Sequence, residues 1–264
     1  MTDRRQRQKE QRAAKREAER KSESRRALFR TIGTALIFGL VVVAIFTFGG
    51  LFDGDDTGVP QSYEDYRSQD TACGGGQPPP EEVMSFPDGP EDQTDITAES
   101  TVTATIATSC GEIVLELNNE GAPDTVNSFV FLARSGYYDG QVIHRISEDF
   151  VFQTGDPAAD GTGGPGYVIS DEYPTDPDFV YEYGTVAMAN RGSRSTGSQF
   201  FVVAGDDGQF LTSSFNVLGG VLGGQDAIER IMVLPTGIAP GTNEQSRPLE
   251  TVYIESITID VAGS

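Results

Sequence analysis

The sequence predicts an all-β-dominated domain: a closed antiparallel barrel of short strands, with two α-helices covering its ends. Short segments that alternate apolar and polar residues recur along the last 166 residues. Only two segments there have the apolar period of a helix. The composition, with 31 Gly, 14 Pro and no Trp, also suits a loop-rich β protein. A transmembrane helix and a disordered linker are predicted ahead of this domain.

The charge of the chain is divided unequally. The formal net charge is −21, yet residues 1–30 carry 12 basic and five acidic side chains, whereas the rest carry seven and 35. An acidic body has no patch that replaces phosphate counterions, so no nucleic-acid partner is expected. One His and two Cys argue against a His/Cys metal cage, and we expect neither a metal nor a cofactor. The acidic surface fits solubility or repulsion from anionic envelope polymers equally well.

A membrane anchor is predicted over residues 31–52. This run of 22 residues has no charge, and as a helix it spans roughly the 30 Å of a bilayer core. The basic tail 1–30 precedes it and three aspartates follow, which predicts a single pass through the cell membrane, with a cytoplasmic amino terminus and an extracytoplasmic domain. A cleaved signal peptide has a shorter apolar run, so we favour an uncleaved signal-anchor. The tail is either a topology signal or a contact for anionic lipid.

Residues 53–98 are predicted to be an acidic Gly/Pro-rich linker, because this composition buries too little apolar area to fold alone. Cys73 lies in this segment, and Cys110 ends a predicted strand. Two cysteines outside the cytoplasm can pair, but the sequence leaves open whether these two meet.

The domain predicted over residues 99–264 begins with a hairpin of two alternating strands, Thr101–Thr108 and Glu112–Leu117. A one-sided helix follows, with Pro123 in its first turn and an end by Gly136. Further strands are predicted at Val142–Ile146, Phe150–Gln153, Thr185–Met188, Gln199–Val203, Asn216–Leu218 and Val252–Val261. A second helix is predicted at Ala227–Val233.

The sequence lacks the residues that standard nucleophilic and phosphate-binding sites require. A Ser-His-Asp triad needs a histidine base, and strand alternation points the only histidine, His144, away from its neighbour Arg145. The glycine run 161–164 lacks the Lys-Ser/Thr ending of a phosphate loop. Arg145 instead lies among apolar and aromatic residues. This composition suits rotation about an Xaa-Pro bond, which needs a dry proline pocket and a cation beside the prolyl nitrogen.

Five motifs carry a family resemblance. They are Ile143-His144-Arg145-Ile146, Phe150-Val151-Phe152-Gln153-Thr154-Gly155-Asp156, Gly161-Thr162-Gly163-Gly164, Met188-Ala189-Asn190 and Gly197-Ser198-Gln199-Phe200-Phe201. In this order and spacing the chain, over about residues 100–262, resembles the cyclophilin-type peptidyl-prolyl cis-trans isomerases. The resemblance implies an eight-stranded antiparallel barrel capped by two helices, with the site on its outer face. It implies proline-containing polypeptides as substrates, and with the anchor it suggests a membrane-anchored bacterial member that acts on exported or envelope proteins.

The resemblance also implies roles for individual residues. Arg145 would be the catalytic cation, and Gln153 would orient it and the substrate carbonyl. The implied substrate-binding residues are His144, Phe150, Val151, Ala189, Asn190, Gln199, Phe201, Phe210, Leu211 and Phe215. Phe210 stands where some members have a tryptophan whose indole N–H binds cyclosporin, so weak cyclosporin binding is expected.

Two other hypotheses share the same motifs. The barrel could be a non-catalytic module that binds proline segments, or a spacer for the basic tail. Phe152 and Phe200, which alternate with the implied site residues, are interpreted as barrel core.

Overall fold

A computed structural model describes residues 58–80 and 82–263. The predicted tail and anchor, residues 1–52, lie outside these ranges. Within them, no helix has both the length and the apolar character needed to cross a membrane.

The described chain contains three α-helices and ten strands. In chain order they are α1 (Tyr63–Ser68), β1 (Thr101–Thr108), β2 (Gly111–Leu117), α2 (Pro123–Arg134), β3 (Arg145–Ser147), β4 (Val151–Thr154), β5 (Thr185–Met188), β6 (Phe200–Val203), β7 (Val217–Gly223), α3 (Gln225–Met232), β8 (Thr236–Ile238), β9 (Gln245–Pro248) and β10 (Ile254–Ala262). Short 3₁₀ helices occupy Ala72–Gly74 and Asp206–Phe210.

Eight strands form one antiparallel sheet in the order β10-β1-β2-β7-β5-β6-β4-β3. The two ends of this sheet meet where Val142 forms an antiparallel bridge with Tyr253. Next to it, the Ile143 amide donates to the Val252 carbonyl at 2.8 Å. The predicted all-β fold with eight antiparallel strands and few helices is confirmed. The strand predicted from Val142 begins later, at Arg145, because the chain first crosses to β10 at this bridge.

The core lies inside this curved sheet and is closed by two helices. Alternate residues of β1, from Val102 to Ile106, are buried while their neighbours are not, as the predicted alternation requires. Helix α2 begins with Pro123, a residue that suits a first turn. Its apolar face, with Phe129 fully buried, packs against β10 and β7. Helix α3 packs against β2 and β3.

The linker prediction is wrong for residues 58–80, which we call the strap. The strap contains α1, whose first turn is closed by a capping box between Ser62 and Asp65. Tyr63 and Tyr66 are 4% and 0% exposed, so α1 is docked on the barrel. The prediction from composition failed because it considered only whether the segment could fold alone. The two tyrosines instead bury apolar area against the surface of the barrel.

A disulfide between Cys73 and Cys110 joins the strap to the hairpin β1–β2. The pairing that the sequence left open is therefore present in the structure. Next to it, Thr71 forms a parallel bridge with Thr251. The covalent bond and the bridge together hold the strap beside the start of β10.

The rest of the predicted linker, residues 82–98, also contacts the barrel. The Phe86 ring meets the Phe131 ring edge-on at 5.0 Å, and Arg134 forms an ion pair with Asp95 at 2.6 Å. The linker prediction therefore does not hold for this part of the chain either. The folded unit starts well before residue 99, the predicted boundary.

The hairpin β8–β9 was not predicted. Its second strand buries Ser246 and Arg247, which are 1% and 8% exposed, so it lacks the apolar alternation that identifies a strand. Strand β9 packs against β3. This contact brings the hairpin to the strand that carries Arg145.

Loss of the disulfide is expected to destabilise the fold. The two cysteines are 37 residues apart, and the chain-entropy model gives about 4 kcal/mol for closing such a loop. The double variant Cys73→Ser/Cys110→Ser should therefore lower the free energy of unfolding, measured by urea denaturation, by up to that amount. The same variant should not respond to dithiothreitol, whereas the parent should. Equal midpoints for the variant and the oxidised parent would contradict the expectation.

Candidate active site on the outer face of the sheet

Three of the implied site residues are paired with one another across strands β3, β4 and β6, and the row continues onto β5. Arg145 on β3 is paired with Gln153 on β4, Gln153 with Phe201 on β6, and Phe201 with Ala187 on β5. Residues paired in register point to the same face of a sheet. The sheet therefore places a cation, an amide and an aromatic ring in one row.

This row lies on the outer face, as the family resemblance implies. Ile146, Phe152 and Phe200 belong to the barrel core, and the row residues alternate with them along the strands. Phe152 and Phe200 thus match their interpretation as core residues. Val151 and Phe201 are nevertheless only 1% and 2% exposed, so the outer face is itself covered by protein at these two positions.

Glu244 and Phe150 both contact the Arg145 side chain. Its Nε donates to Glu244 Oε1 at 3.1 Å and to Oε2 at 3.3 Å, and its Nη2 donates to Oε1 at 2.5 Å. Its Cζ lies 5.7 Å from the centroid of the Phe150 ring, a cation–π arrangement. The side chain is 17% exposed, so the cation is largely but not wholly shielded from water.

The carboxylate that pairs with Arg145 stays ionised at neutral pH. Burial acts to raise the pKa of Glu244. The charge of Arg145, together with hydrogen bonds from Arg145, Ser246 and Ser147, outweighs burial and lowers that pKa below the usual glutamate value. The ion pair is therefore complete at any pH above the usual glutamate pKa, and it is lost only as the pH falls through the lowered pKa of Glu244.

Two glutamines form a chain beside the arginine. Gln153 Nε2 donates to Gln199 Oε1 at 2.8 Å, and Gln199 Nε2 donates to the Gly163 carbonyl at 2.9 Å. The glycine loop that ends there is shaped by the buried carboxylate of Asp156, which accepts from the Gly161 amide at 2.5 Å. The glycine run 161–164 thus lies in a loop whose Gly163 carbonyl holds the Gln199 side chain.

A glycine is required where this chain of amides meets the sheet. Gly155 has φ +83°, and a Cβ there would lie 2.9 Å from the Cα of Gln199. Any side chain would displace Gln199 or the strand that carries Gln153.

Aromatic rings cover the row on its other side. The Phe201 and Phe215 rings meet edge-on at 5.3 Å, and Phe215 in turn meets Tyr181 at 6.1 Å. Tyr181, which the sequence did not single out, fixes Phe215: its Oη donates to the Phe215 carbonyl at 2.8 Å and accepts from the Phe215 amide at 3.1 Å. This set forms an apolar wall beside Gln153 and Val151.

The remaining implied residues lie on loops around the row. The Ala189 amide donates to the Gln199 carbonyl at 2.8 Å, and Asn190 Nδ2 donates to the Ser214 carbonyl at 2.7 Å. The Asn190 side chain therefore ties the end of β5 to the loop before β7. Leu211 is half-buried, and Phe210 is 44% exposed on the 3₁₀ helix.

His144 is buried and sits apart from the row. It is 3% exposed, and neither ring nitrogen has a hydrogen-bond partner in the described part of the chain. Burial lowers the pKa of His144 well below its usual value near 6.5, and the charges of Arg247 and Arg145 lower it further. The imidazole is therefore neutral at physiological pH.

Three polar residues that contact β3 or the residue before it were not predicted from the sequence. Glu244 pairs with Arg145, and both Tyr66 Oη and Arg247 Nη1 donate to the His144 carbonyl, at 3.1 and 3.2 Å. A shielded arginine signals that an anion is near, but the chain has 40 acidic residues and no period selects Glu244. Tyr66 lies in the predicted linker, where no contact with the domain was expected.

The arrangement can bind and polarise but is not built for proton transfer. It offers one oriented cation, two amide groups and an apolar aromatic wall. Its histidine is neutral and buried. This chemistry suits a reaction in which charge shifts within an amide rather than one that makes or breaks a bond to hydrogen.

Comparison with known proteins agrees with this geometry. The sequence profile of the family described as "Cyclophilin type peptidyl-prolyl cis-trans isomerase/CLD" matches residues 103–259. "Peptidyl-prolyl cis-trans isomerase B" of Streptomyces anulatus is 37% identical over 174 residues, which are 60% of this chain and 95% of the relative. "Probable peptidyl-prolyl cis-trans isomerase B" of Mycobacterium leprae is 39% identical over 62% of this chain, which spans only 59% of that relative.

A solved structure shares the fold. A cyclophilin-type peptidyl-prolyl cis-trans isomerase of Cryptosporidium parvum, crystallised in the presence of the dipeptide Ala-Pro, superposes with a TM-score of 0.54. It is 26% identical, and the match covers 60% of this chain and 98% of that one.

His144 is expected to remain neutral through mild acid. It is the only histidine, so its imidazole signals are readily assigned by NMR, and they should not titrate through the usual histidine range near pH 6.5. Because its folded pKa is lowered, the associated stability is complete above the unfolded value and declines as the pH falls below about 6.5. His144→Gln should remove that part of the pH dependence of unfolding. A titration midpoint near the usual histidine value would contradict this expectation.

Proposed function

Because the chain belongs to the cyclophilin-type peptidyl-prolyl cis-trans isomerases, we propose that it catalyses rotation about the Xaa-Pro bonds of exported or envelope proteins. The uncatalysed rotation has a barrier of about 18–20 kcal/mol, set by the loss of amide resonance. Relatives at 37–40% identity are named as peptidyl-prolyl cis-trans isomerases. The outer-face row supplies a cation, an amide and aromatic rings, which this reaction requires.

One observation carries the proposal: Arg145 is fixed beside Phe150 at the end of an apolar, aromatic row. As the amide twists, the lone pair of the prolyl nitrogen is no longer shared with the carbonyl. A guanidinium held next to that nitrogen stabilises the twisted form more than the planar one. Preorganised donors of this kind lower a barrier without a nucleophile or a base.

The rest of the row seats the substrate. Val151, Phe201, Phe215 and Leu211 form a dry wall for the proline ring, and Phe150 closes it on the arginine side. Gln153 and Gln199 already bond to each other, which orients both amides. In the proposed complex Gln153 donates to the carbonyl before the proline and holds it while the bond rotates.

A second candidate, a tethered module that binds proline segments without turnover, is favoured by one observation. The Glu244 carboxylate balances the charge of Arg145 in this structure. If it kept the guanidinium from the prolyl nitrogen, the row would bind proline without accelerating rotation. Exchange spectroscopy separates the two candidates, because a binder alone does not speed cis/trans exchange of a proline peptide.

We further propose that residues 31–52 anchor the protein in the cell membrane, with the amino terminus cytoplasmic and the barrel outside. The basic tail and the uncharged run support this orientation. The disulfide between Cys73 and Cys110 supports an oxidising location for the barrel. Proline-containing segments of proteins that fold outside the membrane are the substrates that this location offers.

The role of the arginine is tested by substitution in the full chain, purified in detergent. Arg145→Ala should lower kcat/KM for cis/trans exchange of a short Ala-Pro peptide by about 10²–10³, the usual effect of removing one preorganised donor. Arg145→Lys should recover only part of the loss, because an ammonium group lacks the planar fork.

The matched control is Arg134→Ala, which removes an exposed arginine paired with Asp95 at a distance from the row. It should leave the exchange rate unchanged. Full activity in Arg145→Ala would overturn the mechanism, and a folded but inactive parent would favour the binding module.

Weak binding of cyclosporin is also proposed, because the Phe210 side chain, unlike an indole, has no N–H to donate. Phe210→Trp should tighten inhibition by cyclosporin about tenfold, the worth of one added hydrogen bond. Tyr183→Trp is the control, since Tyr183 is another exposed ring, 49% accessible, outside the row. Equal inhibition constants for Phe210→Trp and the parent would contradict the proposal.

A further inference from the structure

The ion pair between Arg145 and Glu244 is a two-point contact that is better shielded from water than the ion pairs of Arg67 and Arg134. Both side chains are mostly covered, with 17% and 21% exposed. One carboxylate engages two of the three guanidinium nitrogens, Nε and Nη2. A two-point contact fixes the plane of a guanidinium, whereas a one-point contact lets it rotate.

The backbone of Glu244 is set before its side chain meets the arginine. Its amide donates to Thr242 Oγ1 at 3.1 Å, and its carbonyl accepts from the Ala239 amide at 2.8 Å. Thr242 Oγ1 also donates to the Ala239 carbonyl at 2.9 Å. The turn of the β8–β9 hairpin is thus closed by its own hydrogen bonds and presents the carboxylate at a fixed place.

The hairpin is itself fastened to the strand that carries the arginine. Three residues after Glu244, the buried Arg247 donates from Nη1 to the carbonyls of His144, at 3.2 Å, and Ala159, at 2.6 Å. Tyr66 from the strap donates to the same His144 carbonyl. The hairpin therefore holds both the backbone before Arg145, through Arg247, and the guanidinium of Arg145, through Glu244.

We propose that Glu244 is a positioning residue for the isomerase reaction, which holds the Arg145 guanidinium in the plane and place where it meets the prolyl nitrogen. The inference rests on the proposed function, since it assigns a role within the same site. Arg145 has a flexible stem, and its Cζ lies 5.7 Å from the centroid of the Phe150 ring, a contact that does not fix the in-plane direction of the guanidinium. Without the carboxylate the head group would lose the two-point contact that fixes its plane, and fewer molecules would have the reactive arrangement.

The opposite role makes the opposite prediction. If the carboxylate mainly neutralised Arg145, its removal would strengthen the field at the prolyl nitrogen and raise the rate. If it oriented Arg145, its removal would lower kcat and leave KM little changed, because the apolar wall and the glutamines bind the substrate.

The test compares Glu244→Gln, Glu244→Asp and the control Glu120→Gln with the parent, all as full chains. Glu120 is exposed and distant in sequence from the hairpin. Exchange of an Ala-Pro peptide should show kcat about tenfold lower for Glu244→Gln, with KM within about twofold. Glu244→Asp retains the charge and should recover part of the rate. Glu120→Gln should match the parent.

A spectroscopic readout separates positioning from folding and from activity. The Nε–H proton of Arg145, assigned by its absence in Arg145→Lys, should exchange slowly with water in the parent. It should exchange quickly in Glu244→Gln, while the amide spectrum of the barrel stays the same.

Each outcome decides the question. Loss of kcat with fast Nε–H exchange supports the positioning role. A higher kcat, or an unchanged kcat with an ordered Nε–H, overturns it. If the parent has no activity, the proposed function fails, and slow Nε–H exchange in Glu244→Gln would overturn the positioning role independently.

Discussion

The two-residue period of a β-strand is the constraint on which the rest of this structure depends. Strands β3, β4 and β6 each contribute to the core through one set of side chains and to the site through the other. Ile146, Phe152 and Phe200 hold the barrel together, and the residues between them form the outer row. A shift of one residue in any of these strands would exchange the two sets, so the register that stabilises the barrel is also the register that assembles the site.

This constraint explains which parts could be predicted from the sequence. The alternation of Thr101–Thr108 matched the strand to the residue, because apolar area buried on one face leaves a readable period. The prediction for Thr185–Met188 also matched, although this strand does not alternate and its last three residues are all buried. Strand β7 extends to Gly223 and exceeds its prediction because Gly219 and Gly220 add no apolar side chain to the pattern. The site residues were named from the five motifs of the family resemblance, and the register of β3, β4 and β6 brings Arg145, Gln153 and Phe201 into one row.

Parts held by polar contacts could not be predicted. The strap is docked by a disulfide and by two buried tyrosines whose hydroxyl groups donate to backbone carbonyls. The β8–β9 hairpin is docked by a buried arginine that also binds carbonyl groups. Such contacts pair groups that are distant in sequence, and they need no period. Glu244 is selected from many acidic residues only by where the turn Ala239–Glu244 places it. Glu244, Tyr66 and Arg247, unlike the residues named by the family motifs, could therefore be identified only in the folded chain.

The covalent link between Cys73 and Cys110 has a consequence for the fate of the molecule after proteolysis. Between these cysteines the chain runs through a polar, exposed stretch that includes Val83, which is 75% accessible. A protease that cut a single peptide bond there would produce two pieces that remain one molecule under oxidising conditions. The amino-terminal piece, with the strap and everything before it, would separate from the barrel only after reduction.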